Sequence, residues 1–177
     1  MQTIEHTMNL YIQKEKGNVL AICPTEGMIQ TLQNNEGITV CDVLSKNQDG
    51  KKGKTGRRQK HFSFKKMRKK FKKKTKDVII ADIKELESYW KTFIRDSIYI
   101  TKGTIYLFVM NPEYDLDLLI KRYHRFQVGS SIKKCKDGVI VTIHVGNAKN
   151  HFWKEKMYYI IDVLTDIADL IGDALVS

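Results

Sequence analysis

A chain of 177 residues that is 42% hydrophobic and 10% aromatic is long enough to bury a core and too apolar to be disordered throughout. Its 31 basic residues outnumber 20 acidic ones, but the excess is local. Fifteen of the 26 residues from Lys51 to Lys76 are Lys or Arg and none is acidic, whereas the remainder holds 16 basic against 20 acidic residues.

The apolar runs Asn9 to Gln13 and Asn18 to Cys23, separated by the polar, Gly-containing Lys14 to Gly17, predict a hairpin. Pro24-Thr25-Glu26 starts a helix that Asn35 to Gly37 closes, and Ile38 to Leu44 reads as a strand. The first half of the basic run, with Gly50, Gly53 and Gly56, is too polar to order itself. In the second half Phe64, Met67 and Phe71 recur at helical spacing, so a basic loop leading into a basic amphipathic helix is expected.

Asp77 to Ile83 predicts a strand and Lys84 to Arg95 a helix, with Leu86, Trp90, Phe93 and Ile94 on its apolar side. A second hairpin is predicted from Ser97 to Thr101 and Thr104 to Met110 around Lys102-Gly103, and a helix from Asn111-Pro112-Glu113 to Phe126. Gln127 to Ile132 and Gly138 to Val145 predict a third hairpin, and Lys149 to Leu175 a long amphipathic helix. These elements imply one α+β domain over residues 1–177: a mixed, largely antiparallel sheet, about four helices including the long carboxy-terminal one, and a basic, partly flexible insertion at 47–76.

The basic run carries the main functional expectation. Lys51, Lys52, Lys54, Arg57, Arg58, Lys60, Lys65, Lys66, Arg68, Lys69, Lys70, Lys72, Lys73 and Lys74 would neutralise phosphates and release counterions, with Phe64 as a ring on which a base could stack. That points to RNA or DNA bound mainly through its backbone. A solvated loop, an anionic lipid surface and a receptor-read localisation signal are the other uses of such a run. Gly50 to Thr55 ends in Gly-Lys-Thr, but only two residues separate its glycines and Gln48 stands where a phosphate-binding loop needs its first glycine.

Asp42 at the end of one predicted strand and Asp82-Ile83-Lys84 at the end of another give a carboxylate pair with a nearby lysine. This resembles the PD-(D/E)xK nucleases, and the resemblance implies Asp42, Asp82 and Lys84 as catalytic residues working with Mg²⁺; outside that alternative no cofactor is expected. Lys102-Gly103 followed by Tyr106-Leu107 resembles part of the RNA-recognition octapeptide, with Tyr99 and Tyr106 as possible stacking rings. The cations Lys121, Arg122 and Arg125 suit the end of a helix, where they could add a phosphate contact.

Asp162, Asp166, Asp169 and Asp173 form an acidic stripe on the last predicted helix, a solvated face or a surface for a protein partner. An adaptor or antagonist in a nucleoprotein assembly is the third functional class. His144 and His151 read as structural, since no nucleophile stands beside them. Cys23, Cys41 and Cys135 show no ligand or pairing spacing and read as small buried residues with no metal site. No apolar run approaches 18 residues and Met1 to Ile12 lacks a secretory pattern, so an intracellular, cytoplasmic location is expected, or a nuclear one in a eukaryotic or viral setting.

Overall fold

The computed structural model describes residues 1–44, Met67, 71–110, 129–145, Ile160 and Leu164; the side chains of 87–92 are outside that description. Two compact units emerge, Met1–Gly146 and Asn147–Ser177. In the second, Ile160 and Leu164 are helical. The rest of the predicted carboxy-terminal helix, with Asp162, Asp166, Asp169, Asp173 and His151, lies outside the described residues, as do the predicted helix from Asn111 and most of the basic run.

The first unit opens on α1, Ile4–Ile12, where a hairpin strand was expected. Its buried residues Ile4, Met8 and Ile12 are spaced by four, a helical stripe that begins too early to be seen from Asn9 onward. Thr3 caps it by accepting the His6 N–H. Gly17, at φ +86°, then turns the chain into β1, Gly17–Ile22. The predicted helix is α2, Glu26–Asn34, capped by Thr25, and the predicted strand is β2, Ile38–Leu44.

β3 spans Lys76–Asp82 and is followed by a 3-10 segment, Lys84–Tyr89, and by α3, Trp90–Ile100. The helix continues through Ser97–Ile100 and feeds straight into β4, Thr101–Met110, so the expected hairpin around Lys102-Gly103 is absent. Gly103 serves close packing instead: a side chain there would strike the Asp77 backbone carbonyl on β3. β5, Gly129–Cys135, and β6, Gly138–His144, form a hairpin, the one of the three expected hairpins found among the described residues.

These strands make one six-stranded sheet in the order β2-β1-β3-β4-β6-β5. β1 pairs in parallel with β2 and β3, and β3 with β4, while β6 runs antiparallel between β4 and β5. The architecture is therefore mixed α/β with three helices among the described residues, and the expected largely antiparallel sheet is corrected to a mostly parallel one. The physical reason is visible in the strands. Val19 to Ile22, Val78 to Ala81 and Ile105 to Val109 are buried at every position, as strands covered on both faces must be.

One face packs Val19, Ala21, Val78, Ile80 and Phe108 under α1 and α2. The other packs Leu20, Ile79, Ala81, Leu107 and Val141 with Phe93, Ile94 and Ile100 of α3, and with Met67 from the β2–β3 connection. So α2 links β1 to β2 across one face, while Met67 from the connection back to β3 packs on the other. Connections that depart in opposite directions from adjacent strands leave a crevice outside their carboxyl ends, here between β1 and β3.

Candidate active site at the carboxyl ends of β1 and β3

β3 delivers Asp82 to this crevice. The Asp82 Oδ1 accepts the Lys84 N–H at 2.9 Å, and Ile83 N–H donates to the Phe108 carbonyl at 3.0 Å, fixing the strand end against β4. Burial pushes the Asp82 carboxyl above its ordinary range, an effect that the Lys84 N–H only partly offsets. A desolvated carboxyl at a strand end beside a topological crevice can accept a proton near neutrality more readily than a free aspartate.

β1 delivers the turn Cys23 to Thr25, which leads into the first residues of α2, Glu26 and Gly27. Cys23 is held at φ +48°, a backbone conformation that favours glycine, and its N–H donates to the Leu44 carbonyl at 2.7 Å. Thr25 caps α2 by accepting the Met28 N–H at 3.3 Å, and its own hydroxyl donates to Glu5 Oε1 at 2.8 Å. Gly27 is the second residue of α2. The Glu5 carboxylate, the far end of a flexible side chain, stands where a side chain on Gly27 would lie.

Asp42 does not join Asp82. Cys41 packs on the α1/α2 face and Leu44 on the other, so alternation puts Asp42 with Leu44; Ala81 and Ile83 put Asp82 on the α1/α2 face. The Asp42 carboxylate is instead engaged by the Lys76 ammonium at 2.6 Å. Two carboxylates on opposite faces of a sheet, with β1 between their strands, cannot share a metal ion. Among the described residues no group of three or more His, Cys, Asp or Glu could hold one. Lys84 is exposed and acts at Asp82 through its backbone N–H.

The resemblance to the RNA-recognition octapeptide is also corrected. Tyr99 lies on α3, and Tyr106 is buried, stacked on Tyr11 at 5.3 Å with its hydroxyl donating to Glu15. His144 is exposed on β6 beside the Thr104 hydroxyl. Cys41 and Cys135 are buried and Cys23 half-buried.

Of the predicted basic contacts, Lys51 to Lys70 and Phe64 lie outside the described residues. Lys74 Nζ donates to the Ile98 carbonyl at 3.2 Å, Lys73 lies 5.9 Å from the Tyr99 ring, and Lys72 is exposed. The end of the run is thus attached to the body. Sequence reading took Asp82 for a nuclease acid, Cys23 for the end of a strand and Pro24-Thr25-Glu26 for a simple helix start, and it missed Glu5. The strand-turn-helix order of Val19 to Asn34 was the available signal for the turn, whereas the contact between Glu5 and Gly27 has no sequence signature.

No family model matches the chain, and no curated protein matches it in sequence. Solved structures do share its fold. A Plasmodium falciparum protein described as a ribosomal RNA methyltransferase is similar at a TM-score of 0.50 and 15% identity, over 79% of this chain and 91% of that one. The Thermus thermophilus 16S rRNA N2 G1207 methyltransferase RsmC, solved with AdoMet and guanosine, gives 0.51 and 7%, over 80% of this chain and 39% of that one. Precorrin 8W decarboxylase of Methanobacterium thermoautotrophicum gives 0.54 and 11%, over 81% and 89%.

At such identities the likeness is one of fold. It nevertheless corrects the expectation of a nucleic-acid-binding protein whose function is its basic insertion, together with the nuclease and adaptor alternatives. Proteins described as methyltransferases share the fold, and RsmC was solved in complex with AdoMet, so the expectation of no cofactor falls as well. At the start of α2, where a doubly wound sheet receives a ligand, the Glu5 carboxylate stands on the open side of Gly27, so an anionic tail would meet like charge there unless Glu5 moves aside.

Proposed function

We propose that this chain is a methyltransferase acting on RNA, with its reaction centre in the crevice between the carboxyl ends of β1 and β3. One observation carries the reading: the topology that makes this crevice also places in it a carboxyl, Asp82, that burial has made easier to protonate. Asp82 is suited to take the proton that an RNA hydroxyl or amine gives up as it becomes nucleophilic. The backbone N–H of Lys84 holds that carboxylate in place. RNA is favoured as substrate by two neighbours in fold that are described as ribosomal RNA methyltransferases.

Within this reading the run from Lys51 to Lys74 holds the substrate through its phosphates, which makes it an accessory to transfer. The test is transfer of a labelled methyl group from AdoMet to a panel of structured and single-stranded RNAs. Incorporation that disappears in Asp82→Asn, with RNA binding retained, is the expected result; no incorporation into any RNA by protein that binds AdoMet would overturn the proposal.

A further inference from the structure

Glu5 occupies the β1–α2 turn from a fixed platform. The Ile4 N–H donates to Asp137 Oδ1 at 2.7 Å and the Lys136 N–H to the Gln2 carbonyl at 2.9 Å, so the start of α1 is pinned to the β5–β6 turn. From there the Glu5 carboxylate reaches Thr25, accepting its hydroxyl at 2.8 Å, and stands where a side chain on Gly27 would lie. In doubly wound sheets a glycine at this strand-to-helix junction lets a ligand approach the backbone closely. Here the approach is made by a carboxylate of the chain itself.

We infer that Glu5 is an internal occupant of the cofactor cradle and the residue that sets which adenosyl ligands enter it. This rests on the methyltransferase reading. A ligand whose tail ends in a carboxylate must displace Glu5 or meet like charge at Gly27. A ligand that lacks the tail does not reach it. Neutralising Glu5 removes the repulsion while keeping an acceptor for Thr25, and shortening it also vacates the space beside Gly27.

The experiment measures binding of S-adenosylhomocysteine and of 5′-methylthioadenosine, which lacks the aminocarboxypropyl tail, to the full chain and to its Glu5→Gln and Glu5→Ala variants by equilibrium dialysis. Thermal unfolding of each variant establishes that it is folded. Replacing Glu5 is expected to tighten S-adenosylhomocysteine roughly three- to tenfold, the size of one hydrogen-bonded or charged contact, and to leave methylthioadenosine within about twofold. If S-adenosylhomocysteine binds but neither variant changes its affinity relative to methylthioadenosine, the inference about Glu5 is wrong while the methyltransferase reading stands. If neither nucleoside binds any of the three proteins, that reading fails and takes the inference with it.

Discussion

Lys76 reaches across β1 to Asp42. The ammonium of one flanking strand meets the carboxylate of the other at 2.6 Å, with the lysine side chain 6% exposed and the aspartate 35%. The same ammonium lies 5.1 Å from the Phe71 ring, so the last cation of the basic run is held between a carboxylate and an aromatic face.

The unequal exposure predicts unequal costs. Asp42→Asn leaves a buried ammonium without its counter-charge and is expected to cost about 2 to 4 kcal/mol. Lys76→Met leaves a carboxylate that water can reach and is expected to cost less than about 1 kcal/mol. Urea unfolding of both variants tests this, and equal losses would show that the pair is not asymmetrically buried.

What the sequence disclosed and what it hid divide along range of interaction. α2, β2, β3 and the β5–β6 hairpin were legible because capping by Thr25, β-branched runs and the Asp137-Gly138 turn are local signals. The end of α3 was misread because Ile98 and Ile100 favour strands as isolated residues, and packing on the sheet overrides that preference. Parallel pairing was hidden for a different reason: β1 meets β3 across more than fifty residues, and no local pattern specifies such a partner. At the candidate site Asp82 was visible as a strand-end acid, but the groups that act on it are Lys84 and Glu85 and not Asp42.

Asp82 should oppose stability where it supports function. Burial raises its folded-state pKa above the ordinary value of 3.8, so its favourable protonated state is fully present below that pH and is lost as pH rises through the raised value. Once ionised, the carboxylate is a partly desolvated anion in the native state. Asp82→Asn is therefore expected to raise the melting temperature at pH 7, with the difference closing toward pH 3.5 to 4, while methyl transfer is abolished. A destabilised Asp82→Asn protein at neutral pH would contradict the desolvation argument.

Tyr106 and Glu15 fasten the end of α1 to the middle of β4. The phenol donates to Glu15 Oε1 at 2.5 Å, stacks on Tyr11, and is pushed well above its ordinary pKa, first by burial and then by the bond to Glu15. The protonated phenol is the stabilising form; its contribution is complete below the unfolded value of 10.0 and lost only as pH climbs through the raised one. Tyr106→Phe should cost about 1 to 2 kcal/mol, by a constant amount from pH 6 to 9. A deficit that shrinks within that interval would mean the phenol ionises there.

The connection between β2 and β3 contributes to the core as well as to charge. Met67 is 1% exposed within the cluster under α3, and Phe71 packs partly against it. A deletion from Lys51 to Lys74, which composition alone would treat as harmless to folding, removes both. Met67→Ala is expected to cost about 2 to 4 kcal/mol through lost burial and the cavity left behind. Changing Lys51, Lys52 and Lys54 to Gln should shift stability by less than about 0.5 kcal/mol, while weakening binding of RNA in proportion to the charges removed. Urea unfolding and RNA titrations at two salt concentrations separate the two roles. Equal stability losses in the two variants would mean that the segment is held by its charges, and an unchanged RNA affinity would mean that the substrate does not touch it.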